Sequence, residues 1–118
     1  MGGLDEWMHG YQRAWESNDP AEIGALFTED ALYYTAPSRA PWRGRAAIVQ
    51  GWIGVGDRPG DATFEWTPVV QSGELAVVQG RTVYRNGDDF DNLWVIRFDD
   101  DGRCREFTEW YMRREGSA

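Results

Sequence analysis

Four β-type segments follow one another in the second half of the chain: ATFEWTPVVQ, ELAVVQGRTVY, FDNLWVIRF and RCREFTEWYM. Their separators are Ser72-Gly73, Asn86-Gly87 and Asp101-Gly102. Glycine in such a dipeptide takes the positive φ of a tight hairpin, because it has no Cβ to clash. Consecutive short hairpins join neighbouring strands antiparallel, so these segments predict a meander. A meander loaded with large apolar residues must bury a face, and the rest of the chain has to supply the cover.

The first half supplies helices. LDEWMHGYQRAWESND sets Leu4, Met8, Tyr11 and Trp15 along one helical stripe. Asn18-Asp19-Pro20 breaks that helix, and Asp19 can cap a second one with Pro20 at its first position. Ile23, Leu26 and Phe27 then form the second helix's apolar face. ALYYTAP reads as a strand stopped at Pro37, and SRAPW as a loop. RGRAAIVQGWIGVG reads as a third helix, with Ile48 and Trp52 one turn apart, and GDRPGD as a turn-rich loop. This order predicts an α+β fold of a single domain over residues 1–118, with helices on one face of a sheet of about five strands. The tail from 113 to 118 is expected to fray.

The chain has 118 residues and a net charge of −8. Nucleic-acid affinity comes largely from clustered cations, so that charge argues against a phosphate backbone and against anionic membrane surfaces as partners. No apolar run approaches the ~20 residues of a membrane span. MGGLDEWMHG has no basic start and no apolar signal core, and Glu6 stands where myristoylation needs Ser or Thr. A single Cys104 excludes an internal disulfide. The expectation is a cytoplasmic protein. Seven Trp, five Tyr and five Phe suit a core, a ligand cavity or an interface.

Three stretches together carry a family likeness: YQRAWESNDPAEIGALFTEDALYYTAP, WRGRAAIVQGW and NLWVIRFDDDGRCREFTEWYM. The chain resembles the nuclear transport factor 2-like superfamily over nearly its whole length, and its SnoaL-like members most. The resemblance implies a cone: three N-terminal helices packed on a strongly curved, mixed, mostly antiparallel sheet that encloses a pocket. Members include ketosteroid isomerases, scytalone dehydratase, limonene epoxide hydrolase and polyketide cyclases, and others only bind ligands or proteins. Fold therefore leaves function open.

The isomerases place an oxyanion-hole Tyr eight residues before the acid at the first helix break, and Tyr11 stands so before Asp19. Their general base falls here on Thr35, and their second oxyanion acid on Trp94, so neither acid is present. Trp94 in a pocket-facing position implies that Asn92 and Ile96 share its side. On the last strand the same facing implies Phe107, Glu109 and Tyr111. A carboxylate is thus expected among rings, where desolvation raises its pKa and suits it to proton transfer near neutral pH.

The reading that follows is a small-molecule pocket protein. Its enzymatic form is cofactor-independent acid–base chemistry on a hydrophobic oxygenated substrate, by isomerisation, dehydration, cyclisation or epoxide opening. Glu109 and Tyr11 are the candidate catalytic residues. Trp15, Tyr34, Thr35, Trp52, Asn92, Trp94, Phe107 and Tyr111 are the candidate substrate contacts, with Trp42 as a further wall. Thr82 and Tyr84 face inward unless a one-residue slip brings Arg81 there instead. The structural alternative pairs Glu109 with an Arg, Arg81 or Arg97, or with a Tyr hydroxyl, and leaves it only holding the sheet together. The functional alternatives are a non-catalytic ligand binder or a dimeric protein–protein adaptor.

No cofactor or metal is expected. His9 is the only histidine, off the helix stripe and solvated. DDDG at Asp99 to Gly102 lacks the alternating acids of a calcium loop and reads as a hairpin tip. Cys104 reads as a buried strand thiol. With Phe107, Glu109 and Tyr111 inside, Trp110 and Met112 face out, beside Leu93 and Val95. Such an apolar patch predicts a two-fold homodimer through the outer sheet face.

Overall fold

A computed structural model describes residues 3–55 and 62–114 of the chain. The loop expected at 56–61, the extreme N-terminus and the end of the tail lie outside the described residues. The elements are α1 (Leu4–Ser17), α2 (Pro20–Gly24), β1 (Phe27–Tyr34), β2 (Trp42–Arg43), α3 (Arg45–Val55), β3 (Ala62–Ser72), β4 (Leu75–Tyr84), β5 (Asp89–Phe98) and β6 (Cys104–Arg113). They form the expected α+β fold, a curved mixed sheet with helices against it.

The helix break works as its residues dictate. Asn18 ends α1 in the left-handed region at φ 54°, and the Asp19 side chain accepts from the Ala21 backbone N–H with Pro20 at the first helical turn. Leu4, Met8 and Tyr11 are buried along α1, joined by Trp7, whose indole N–H donates to the Leu26 carbonyl at 3.0 Å. The second helix is shorter than its apolar pattern suggests. Phe27 lies outside it and opens β1, because the chain extends at once to pair with β6, Phe27 opposite Cys104.

The sheet order is β2-β1-β6-β5-β4-β3. All neighbours are antiparallel except β1 and β6, which run parallel. The hairpin turns carry Gly73, Gly87 and Gly102 at positive φ, as their dipeptides require. Six strands form among the described residues rather than about five, since β2 is a two-residue edge held by Leu32–Arg43 and Tyr33–Trp42 pairing. Register shifts in β1, β3 and β5 bend the sheet around its helix-covered face.

Rings fill the core under α1. Tyr11, Phe107, Tyr33 and Trp42 stack as a column, with successive centroids 5.4, 4.6 and 5.0 Å apart and interplanar angles of 24°, 13° and 18°. Offset stacking of this kind adds ~0.5–1.5 kcal/mol per pair beyond area burial. β6 runs to Arg113, the first residue of the expected tail. Arg113 pairs with Asp88 at 2.8 Å, and Arg114 with Asp91 at 2.7 Å. Both acids border the neighbouring hairpin.

On the outer sheet face Trp110 is 51% exposed and Met112 72%. Trp110 sits directly opposite Leu93, itself exposed, and Val95 lies opposite both Val77 and Thr108. No helix among the described residues is long and apolar enough to cross a membrane.

Candidate functional site

The concave face of the sheet and the C-terminal half of α1 enclose a cavity of about 660 Å³. α1 contributes Tyr11, Trp15 and Glu16. The inner faces of β4, β5 and β6 contribute Thr82 and Tyr84, then Asn92 and Trp94, then Glu109 and Tyr111. The register explains the grouping. Trp94 lies opposite Glu109, and Asn92 opposite Tyr111. Side chains alternate across the pleat, so these residues share one face, and diagonal neighbours come within reach.

Those diagonals carry a hydrogen-bond chain. Thr82 Oγ1 donates to Asn92 Oδ1 at 2.6 Å. Asn92 Nδ2 donates to Glu109 Oε2 at 2.6 Å, and Trp94 Nε1 donates to the same oxygen at 3.1 Å. Gly80 makes room for the indole, since a Cβ there would stand 2.4 Å from the Trp94 ring. No cation approaches Glu109 among the described residues. Arg81 is drawn off by Asp89 in a bidentate pair at 3.0 and 2.7 Å, and Arg97 by Glu106. Arg81 thus stands on the opposite face from Thr82 and Tyr84.

Burial pushes the Glu109 carboxyl up to about 7, against the Asn92 and Trp94 hydrogen bonds that favour its charged form. Solvent reaches the side chain only in part, and protein atoms crowd it otherwise. Oε2 takes both donors, so the acid proton belongs on Oε1.

Tyr11 is buried, and its hydroxyl lies 3.2 Å from that of Tyr33. Burial first, then the Glu109 charge, holds the Tyr11 hydroxyl far above its ordinary range. Tyr33 is raised for the same leading reason. Both phenols therefore stay protonated; one donates to the other, which leaves one phenol proton of the pair for a further acceptor.

The structure brings Tyr11, Trp15, Thr35, Asn92, Trp94, Glu109 and Tyr111 to the cavity wall, with Trp42. Tyr34 is not among them. Tyr34 and Thr35 are adjacent, and alternation cannot send both inward. Ala31, Tyr33 and Thr35 take the inner positions, and Tyr33 is one of the wall residues not expected from the sequence. The signal was available in the parity of Thr35. Phe107 and Trp52 face inward but sit deeper, in the core behind the wall. Phe107 is sandwiched between Tyr11 and Tyr33, while Trp52 packs on Trp15 at 4.6 Å. The buried Trp52 indole N–H has no acceptor among the described residues, and aromatic rings surround it.

Arg39, in the loop after β1, also lines the cavity; no sequence pattern singled it out. His9 is exposed, edge-on to Trp66 at 5.8 Å. Burial raises the Cys104 thiol far above its ordinary range, leaving it inert as a nucleophile. Among the described residues no three His, Cys, Asp or Glu gather in a metal-binding cluster.

Comparison with known proteins places this architecture. A crystal structure from Sphaerobacter thermophilus superposes with a TM-score of 0.79 at 19% identity, covering 97% of this chain and 100% of that one. An NTF2-like protein of unknown function from Mesorhizobium loti gives a TM-score of 0.71 at 25% identity, covering 92% and 89%. SalBIII, an epoxide hydrolase/cyclase-like enzyme of pyran ring formation in the polyether salinomycin, gives 0.72 at 19% identity, covering 92% and 89%. No protein of curated function matches the sequence. The SnoaL-like domain pattern matches residues 8–107, from within α1 to the fourth residue of β6, so that Glu109 and Tyr111 lie just beyond it. The chain belongs to the SnoaL-like domain family.

Proposed function

We propose that the chain is a small-molecule pocket protein that performs cofactor-independent acid–base chemistry on a hydrophobic, oxygenated substrate. One observation carries the reading: a carboxyl without a cation among the described residues, with one oxygen fixed by Asn92 and Trp94 and its pKa near 7. Such a group gives or takes a proton at neutral pH with little driving force wasted in either direction. As an acid, Glu109 donates from Oε1 to a substrate oxygen; as a base, it removes a proton beside a carbonyl. Tyr11 donates to an oxygen that gains negative charge. Trp15, Thr35, Trp94 and Tyr111 hold the substrate. The epoxide hydrolase/cyclase-like description of SalBIII is in keeping with this chemistry, though at 19% identity that likeness speaks for the fold alone.

The test is a panel of aromatic and terpenoid ketones, alcohols and epoxides. Glu109→Gln should retain ligand binding and abolish turnover, and Tyr11→Phe should slow it less. Turnover by the wild type should change near pH 7. A Glu109→Gln protein as active as the wild type would place the chemistry elsewhere.

We also propose that Leu93, Val95, Trp110 and Met112 form a two-fold homodimer contact. The exposed Leu93 and Trp110, paired across β5 and β6, and the exposed Met112 beside them support it.

A further inference from the structure

The cavity has one cationic side chain among its described lining residues, and it stands far out. Arg39 is exposed, in the loop joining β1 to β2, and Tyr111 is 43% exposed at the neighbouring end of β6. Arg39 Nη2 donates to Tyr111 Oη at 3.3 Å. That is the guanidinium's sole hydrogen bond among the described residues, and it makes no ion pair there. The contrast with three other arginines at this end is informative. Arg81, Arg113 and Arg114 are all consumed by Asp88, Asp89 and Asp91. Of these four, Arg39 alone keeps its planar fork of donors open toward the cavity mouth. Glu16 lines the same cavity from α1, without forming an ion pair to Arg39.

We propose that Arg39 and Tyr111 form an anion subsite at the mouth, so that the ligand is amphiphilic: an apolar oxygenated body with a carboxylate at its outer end. The inference rests on the cavity being a ligand site, and it adds a polarity to it. Guanidinium matches carboxylate geometry in a bidentate fork, and the Tyr111 hydroxyl is free to donate a third hydrogen bond once Arg39 turns to the anion. Spacing sets the length of the ligand. Glu109 and Tyr111 are two residues apart on one strand, about 6.6 Å at the Cα atoms. A fused aromatic ring pair bridges a carbonyl at Glu109 and a carboxylate beyond Tyr111. In this arrangement the anion stays in the solvated rim, away from the Glu109 carboxyl.

Acetylnaphthalene and acetylnaphthoic acid, with its carboxylate on the ring remote from the ketone, make a matched probe pair. Calorimetric titration of the full chain measures both. The wild type should bind the acid roughly three- to tenfold more tightly, the range for one partly solvated charge pair. Arg39→Gln should abolish that ratio, and Arg39→Lys should restore part of it. Circular dichroism verifies that each variant is folded. Equal binding of the two probes by the wild type overturns the subsite, as does a preference that survives Arg39→Gln or an equal weakening of both probes. If neither probe binds, the ligand-cavity reading itself fails and the subsite falls with it.

Discussion

Replacing Glu109 by glutamine should change how the stability of the fold depends on pH. Glu109 titrates at an ordinary 4.5 in an open chain and near 7 in the folded protein. The folded state therefore holds this proton more tightly. Its stabilising effect is complete below 4.5, fades as pH rises, and is gone above 7. With about 1.4 kcal/mol for each tenfold, the whole span is worth about 3 kcal/mol. Most of it, about 2–3 kcal/mol, is lost between pH 5 and pH 8. The amide introduced by Glu109→Gln cannot ionise, yet its carbonyl still accepts from Asn92 and Trp94, so the variant should lack this slope. The other shifted carboxyls do not confuse the window. Arg113 holds Asp88, and Arg81 holds Asp89, below their ordinary range, so both lose their effect only at more acid pH. Urea unfolding of both proteins at pH 5 and pH 8 measures the difference, on the order of 1 M in midpoint. A wild type that loses no more stability than the variant over this interval would show that Glu109 is solvated or paired, and the acid–base reading would go with it.

Trp94→Phe removes one donor to the charged carboxylate, so carboxyl titration by NMR should find Glu109 above its wild-type value of about 7. Gly80→Ala should lower stability by about 1–3 kcal/mol, visible as a lower Tm, because its methyl would stand 2.4 Å from the Trp94 ring and the strand backbone of Glu65 blocks retreat. Light scattering at micromolar concentration should give a dimeric mass for the wild type and a monomeric one for Trp110→Glu; an unchanged mass would remove the outer face from the contact.

Most of the architecture was legible because its signals are local. Asp19-Pro20 states where one helix stops and the next begins, and the three Xaa-Gly dipeptides state where strands reverse. The isomerase resemblance set the facing of Trp94 and of the last strand, and alternation along each strand then put Asn92, Glu109 and Tyr111 on one face. What escaped depends on distant partners. Phe27 has the spacing of a helix residue, and only its pairing with Cys104 makes it a strand residue. Two residues at Trp42–Arg43 carry no strand signature of their own. Depth along the cone is equally hidden: Phe107 and Glu109 share a face, yet one is sealed between two phenol rings while the other reaches the cavity. Arg39 was invisible because a loop arginine has no period, and its significance lies in the aspartates it does not meet.

The parallel pairing of β1 with β6 has a consequence for synthesis. β6 comes after every other described strand in the sequence but lies in the interior of the sheet, between β1 and β5. As the chain leaves the ribosome, β1 has only the two residues of β2 to pair with, and Tyr33 waits for Phe107. The hairpins β3–β4 and β4–β5 assemble from adjacent sequence and can form early. Within the sheet, β1 and the β3–β5 meander are not joined until β6 closes the gap, and such non-local closure is slow. Until then the rings meant for the column are open to solvent and to other nascent chains, which makes late truncations prone to aggregate rather than merely inactive.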